Sequence, residues 1–173
     1  FVFDYADNDA DVLPKSSKDL SHGTHVAAIA AANAADLQGT APHAQIIVAK
    51  VAADKEGSIP DNTVLAALDD AVVIKPDSIN LSLGEDAGMG TEAGTMYAEV
   101  YKNLAAAGVT VNAAAGNSYS SAYSNYSGKN KPYASDPDAG TLSEPASYSS
   151  TLAVASVNNQ DALPYLTVGE RQV

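Results

Sequence analysis

The sequence has no cysteine and no tryptophan, and it has only 9 basic residues against 21 acidic ones in a length of 173. Without cysteine there is no thiol nucleophile, no disulfide and no cysteine ligand for zinc, so these kinds of chemistry are excluded. No run of about 18 apolar residues occurs, so we predict no transmembrane segment in this chain. The net charge of −12 would repel nucleic acid, which we therefore do not expect as a partner.

The apolar residues, 46% of the chain, suffice for the core of one globular domain. They form short β-branched runs that predict strands and longer periodic or alanine-rich stretches that predict helices. The predicted strands are residues 1–3, 45–51, 78–83, 109–115 and 152–157, and the predicted helices are 22–35, 63–74 and 91–107. Continuous apolar strands alternating with helices indicate an α/β fold, a three-layer parallel sheet with helices on both faces.

A histidine stands at the start of the first predicted helix, in the stretch SHGTHVA at residues 21–27. Ser21 is typical of a helix N-cap, and Gly23 allows other backbone to approach closely. The alanine-rich helix that follows is typical of a buried, rigid element. His22 is therefore a candidate general base, although a helix-capping or core histidine produces the same local pattern.

Two strand ends further along the chain carry small and polar residues that suit a substrate site. The first end consists of Ser82, Leu83 and Gly84, and the second of Ala114, Ala115, Gly116 and Asn117. In a parallel sheet both ends lie at the carboxyl edge, where ligands bind. An asparagine amide there could donate a hydrogen bond to developing negative charge. Each segment by itself is equally typical of an ordinary strand end or turn.

Taken in order, the His22 motif, residues 78–84 and residues 113–117 resemble the subtilisin-like serine peptidases, or subtilases. Ala41-Pro42 before one strand and Pro145-Ala146-Ser147 before another fit the same pattern. The resemblance covers almost the whole chain and is greatest to the lactocepin and complement-peptidase group of cell-envelope proteinases. It implies polypeptide substrates and a location outside a bacterial cell or on its wall.

The resemblance also implies a role for each site residue. His22 becomes the general base and Asn117 the side-chain donor of the oxyanion hole. The backbone of Ser82, Leu83 and Gly84 becomes the edge that pairs with an extended peptide. The opposite wall of the primary specificity pocket then consists of Ala114, Ala115 and Gly116.

Two parts of the family's catalytic triad have no counterpart in these residues. The acidic residues ahead of His22 lack the Thr/Ser-Gly that follows the family's aspartate, and no Gly-Thr pair continues into the family's Gly-Thr-Ser-Met-Ala motif. We therefore expect residues 1–173 to be the central part of a catalytic domain, inactive alone and completed by the remainder of a parent protease. The alternatives are a non-catalytic peptide-binding pseudoprotease and an unrelated α/β binding domain.

No cofactor or metal is expected to be required for the chemistry. His25 follows His22 without the H-E-x-x-H pattern of a zinc site, and we interpret His25 and His43 as structural. The acidic residues 4–11 lack the central glycine and terminal glutamate of a calcium loop. We predict a solvated acidic loop there, with a structural calcium site as the alternative.

Overall fold

A computed structural model describes residues 1–15, 21–55, 57–88, 95–118 and 140–157, together with the backbone of 167–168 and 171–172. The elements along the chain are β1 (Val2–Asp4), α1 (His22–Ala31), β2 (Val48–Lys50), α2 (Asp61–Ile74), β3 (Ser78–Leu81), α3 (Met96–Ala106), β4 (Thr110–Ala114), β5 (Leu152–Val154), β6 (Thr167–Val168) and β7 (Arg171–Gln172).

The first five strands form two open parallel sheets. One sheet pairs β1 with β2, and the other has the strand order β3-β4-β5. Strands β6 and β7 form a short antiparallel pair. The parallel α/β fold predicted from the sequence is confirmed, although the strands lie in two sheets rather than in one continuous sheet. In each parallel pair the strands end side by side, which places their last residues at one edge.

The core lies where α2 and α3 pack together and α3 packs on β4. Val64 and Leu68 are one turn apart on α2, so both face the core and are buried. Tyr101 and Leu104 occupy the equivalent face of α3 and are also buried. The apolar periodicity that predicted the helix at 63–74 is therefore the periodicity that buries α2.

Local signals at the ends of α2 and α3 account for where these helices begin and end. Lys75 takes a left-handed conformation, φ +55°, and ends α2 before a proline. The Thr95 hydroxyl accepts a hydrogen bond from the Ala98 N–H and caps the start of α3. Gly108, at φ +82°, follows the end of α3 as predicted. Residues 91–94, which the prediction included in this helix, lie outside the described residues.

The first helix differs from its prediction in length and in burial. α1 ends at Ala31 rather than near residue 35, because Gly39, Thr40 and Ala41 fold back and donate to its last carbonyls. Ser21 occupies the N-cap position but makes no side-chain capping bond. Every residue of α1 is described, and none is buried; Ile29 is 59% exposed. The predictions of a buried helix and of a Ser21 side-chain cap are wrong.

The strand predicted at 45–51 is shorter and more exposed than expected. Only three residues, Val48–Lys50, pair with β1, and β1 is itself only three residues long. Ile46 and Ile47 lie ahead of the pairing and are 44% and 41% exposed. β3 and β4 are also shorter than predicted by two residues each, and β5 is shorter by three. Within the described ranges, no helix is both long and apolar enough to cross a membrane.

Candidate active site

His22 meets the end of β3 through a hydrogen bond. Its Nε2 lies 2.9 Å from the backbone carbonyl oxygen of Ser82, although the two residues are 60 positions apart in the chain. A carbonyl oxygen only accepts, so the imidazole Nε2–H is the donor. His22 is the first residue of α1, and Ser82 follows the last residue of β3. The fold therefore brings together two of the residues that the sequence selected.

The second strand end lies beside the first. β3 and β4 are parallel and in register, with Leu81 opposite Ala113, so residues 82–84 and 114–116 leave the sheet side by side. Leu83 packs against the hydrophobic core, whereas Gly84 and Gly116 are exposed. Asn117 is exposed three residues past the end of β4. Among the described residues no hydrogen bond links Asn117 to His22.

A third segment, at residues 142–144, joins the two strand ends, and the sequence did not predict this role for it. Glu85 and Glu144 exchange backbone hydrogen bonds of 2.9 and 2.8 Å, and the Ser143 N–H donates to the Ala115 carbonyl at 3.0 Å. The nearby Pro145-Ala146-Ser147 pattern was the available sequence signal. Residues 142–144 thus hold the two predicted substrate-binding walls in a fixed relation.

Each wall contains a glycine, and residues 143–144 occupy the space that a larger side chain at that position would need. A β-carbon on Gly84 would lie 2.4 Å from the Glu144 carbonyl oxygen, and one on Gly116 would lie 1.9 Å from the Ser143 Oγ. Gly116 also has φ +101°, a conformation that side chains other than glycine's strongly disfavour. The small residues at these positions are therefore required by close packing of backbone.

A row of tyrosines connects this segment to the helices. The Tyr148 hydroxyl donates to the Glu144 carboxylate, and the Tyr148 ring contacts that of Tyr101 at 5.3 Å between centroids. Burial raises the pKa of Tyr101, and burial together with the hydrogen bond to Glu144 raises the pKa of Tyr148. Both phenols are therefore neutral near pH 7. The contact between the two rings anchors the segment to α3, and the hydrogen bond from Tyr148 to Glu144 holds the segment together internally.

The predicted solvated acidic loop is wrong at its first residue. Asp4 is fully buried, and its carboxylate accepts hydrogen bonds from the backbone N–H groups of Ala6 and Asp7 and from the Lys50 ammonium. The Lys50 Nζ also lies 3.3 Å from Asp7 and 2.8 Å from Asp54. The sequence could not show this cluster because its members come from two different strand ends.

The same three carboxylates, of Asp4, Asp7 and Asp54, are close enough together to hold a metal ion. The Lys50 ammonium, however, contacts all three and already supplies the positive charge. Burial lowers the pKa of Lys50, but its hydrogen bonds to the carboxylates outweigh this and raise it overall. The hydrogen bond from Lys50 likewise lowers the pKa of Asp54. The arrangement fits an internal ion-pair cluster better than a metal site.

The remaining residues singled out from the sequence lie apart from this geometry. His25 is exposed on α1 and His43 is exposed in a turn. In the described part of the chain, the Ser82 carbonyl is the only hydrogen-bond partner of the His22 ring. Chemically, the site therefore offers an accessible imidazole beside a strand end, with a second strand end next to it.

The model of the subtilase family matches residues 2–172, nearly the full length of the chain. The chain therefore belongs to the subtilase family of serine peptidases.

Curated relatives include the PI-type proteinase of Lactococcus lactis subsp. cremoris, 34% identical over 171 residues. That match covers 94% of this chain and 9% of the relative. The C5a peptidase of Streptococcus pyogenes is 31% identical over 150 residues, which cover 82% of this chain and 12% of the relative. The chain thus spans about a tenth of the length of these relatives.

Solved structures support the same fold. The prenylagaramide maturation protease PagA matches with a TM-score of 0.62 and 25% identity, over 80% of this chain and 43% of that protein. A cold-adapted subtilisin-like serine proteinase matches with a TM-score of 0.52 and 28% identity, over 68% of this chain and 39% of that protein. The subtilisin-like fold predicted from the motifs is confirmed.

Proposed function

We propose that this chain supplies the general base, the oxyanion donor and the substrate groove of a bacterial serine endopeptidase that acts outside the cell or on the cell wall. The observation that carries the proposal is the 2.9 Å contact between the His22 Nε2 and the Ser82 carbonyl. It joins the family's histidine motif to its strand-edge motif across 60 residues. The family match and the bacterial relatives support the same function.

In the proposed reaction His22 takes the proton from a serine hydroxyl as that oxygen attacks the scissile carbonyl, and an acyl-enzyme forms. His22 then gives the proton to the leaving amine. The Asn117 amide, exposed beyond β4, donates to the oxyanion that develops on the carbonyl oxygen. Water hydrolyses the acyl-enzyme by the reverse sequence of proton transfers. The serine and the aspartate of the triad belong to other parts of the parent protein.

The histidine must change its protonated nitrogen to act in this way. In the contact with Ser82 the proton is on Nε2, whereas a base that acts through Nε2 needs that nitrogen free. A carboxylate at Nδ1 would hold the proton there and leave Nε2 unprotonated. An aspartate from elsewhere in the parent protein would therefore orient His22 and also select its active tautomer.

Uncovered surfaces of the chain support completion by a larger protein. α1 is apolar along most of its length, yet none of its ten residues, all described, is buried. Strands of parallel sheets are normally buried on both faces, but Ala49 of β2 and Asn80 of β3 are exposed. The rest of a catalytic domain would cover these surfaces. The solved relatives, of which this chain matches less than half, are long enough to do so.

The substrate is proposed to be an extended polypeptide that pairs with the backbone of residues 82–84. Its reacting side chain would lie between that edge and the wall formed by Ala114, Ala115 and Gly116. The side chains of this wall are small, but Ser143 already fills the space beside Gly116. The backbone hydrogen bond from Ser143 to Ala115 holds this wall in position.

The test is covalent labelling of the full-length parent protein by a fluorophosphonate, which reacts with an activated serine. We expect labelling of the parent, loss of labelling in His22→Ala, and normal labelling in His25→Ala, a matched substitution on the same helix. The isolated 173-residue chain should remain unlabelled and should not hydrolyse peptides. A parent that binds peptides but is never labelled would instead establish the non-catalytic pseudoprotease.

A further inference from the structure

A polar row crosses one face of the β3-β4 pair and ends at the residue that contacts His22. The Asn80 amide donates to the Ser82 hydroxyl at 3.0 Å, two residues further along the same strand. One strand over, the Asn112 amide donates to the Ser78 hydroxyl at 2.8 Å. Asn80 and Asn112 stand opposite each other in the register. β4 is the central strand of its sheet, where parallel strands are usually apolar, so Asn112 is uncommon at that place.

Ser82 lies just beyond the hydrogen-bonded part of β3, so the position of its backbone depends on other contacts. The β3-β4 pairing ends at Leu81, so Ser82 is the first residue beyond the paired ladder. Its carbonyl oxygen accepts the hydrogen bond from the His22 Nε2. A residue past the end of a ladder is free to turn away unless another bond holds it. The Asn80 amide provides that bond.

We infer that Asn80 is a positioning residue, which acts through Ser82 to fix where the His22 imidazole stands. The tether from Asn80 keeps Ser82 in line with β3, and the Ser82 carbonyl then anchors the ring at the start of α1. Asn112 has the same chemistry and a nearly equal hydrogen bond, but its partner Ser78 is four residues from Ser82. The two asparagines therefore form a matched pair of which only one reaches the histidine.

This inference rests on the proposed function where it concerns catalysis, but the contact itself is measurable without activity. The chain has three histidines, so the ring signals of His22, His25 and His43 can be assigned by single substitutions. Long-range proton–nitrogen correlation spectra at pH 8, where an ordinary imidazole is neutral, report the tautomer and the exchange of the ring proton with solvent.

In the 173-residue chain we expect the His22 ring proton to reside on Nε2 and to exchange more slowly than that of the exposed His25. Asn80→Ala should speed this exchange about fivefold or more and shift the His22 ring signals, while Asn112→Ala should leave both unchanged. Ser82→Ala keeps the carbonyl but removes the tethered hydroxyl, so it should reproduce the effect of Asn80→Ala. Their combination should add nothing.

Equal responses to Asn80→Ala and Asn112→Ala would overturn the inference, as would unchanged His22 signals in both Asn80→Ala and Ser82→Ala. If Asn80→Ala fails to fold, as judged by lost amide dispersion, Ser82→Ala alone decides the outcome. A responding His22 ring in a parent without peptidase activity would uphold the tether and refute the proposed function.

Discussion

Gly116 lies so close to Ser143 that a β-carbon on the glycine would stand 1.9 Å from the serine Oγ. Ser143 is buried and its N–H is bonded to Ala115, so its backbone is held in place beside the glycine. The proposed substrate wall beyond β4 is therefore held by contact with a distant segment as well as by its own strand. This relationship gives the site a defined shape before any substrate binds.

Gly116→Ala should destabilise the chain by about 2–4 kcal/mol, because backbone strain at positive φ adds to overpacking. Gly108→Ala is the matched control, since Gly108 also has positive φ but has no atom within 4 Å of a β-carbon. It should cost only about 1 kcal/mol. Denaturant unfolding measures both, and Ser143→Gly should relieve part of the cost at Gly116 but none at Gly108. Equal losses of stability in Gly116→Ala and Gly108→Ala would show that the close contact with Ser143 does not affect the free energy of unfolding.

Lys50→Met should destabilise the fold by about 3 kcal/mol, because it leaves the fully buried Asp4 carboxylate without its cation. Lys15→Met provides the comparison: its ion pairs with Asp9 and Asp54 are more exposed and screened by water, so the loss of stability should be much smaller. The unfolding midpoints of the two variants measure the difference. A Lys50→Met variant as stable as the parent sequence would refute the structural role of the cluster.

Stability should also fall in acid. Hydrogen bonds from Lys50 lower the pKa of Asp54, and a backbone hydrogen bond with Asp11 together with Lys15 lowers that of Asp9. Carboxyls with a lowered folded-state pKa stabilise the fold above the unfolded pKa of about 4, and this contribution disappears as the pH falls through the folded value. The free energy of unfolding should therefore decline below about pH 4, less steeply in Lys50→Met. An equal decline in that variant would place the titrating groups elsewhere.

Much of the fold follows from the sequence because local pattern and tertiary burial agree. α2 is an example: the apolar spacing that predicts a helix over 63–74 places Val64 and Leu68 on one face, and that face is buried. α1 and β2 were predicted too long for a tertiary reason. Residues 39–41 fold back on the end of α1, and β2 extends only as far as its three-residue partner.

Those site residues that stand in a recognisable local motif were predictable from the sequence. His22 and Ser82 were found from their own surroundings, and the structure brings them together. The contributions of Ser143 and Glu144, and the pairing of Lys50 with Asp4, depend on contacts between residues 28 to 59 positions apart. Nothing in the local pattern of either partner marks such a contact.

Asn117→Ala in the parent enzyme should lower kcat with little change in KM, because the amide would act on the oxyanion and not on the bound substrate. The expected loss is about 10²–10³-fold, the effect of removing an oxyanion-hole asparagine in a subtilisin. Asn112→Ala, which affects an asparagine bonded to Ser78 at the start of β3, should leave kcat nearly unchanged. A loss confined to KM would assign Asn117 to substrate binding.

The central claim is that His22 is the general base, and the most direct measurement is kcat for peptide hydrolysis by the parent enzyme carrying His22→Ala or His25→Ala. Removal of the base should reduce kcat by at least about 10⁴-fold, as in other serine peptidases, whereas His25→Ala should remain within about threefold of the unmodified enzyme. A His22→Ala enzyme that retains most of its kcat would contradict the account.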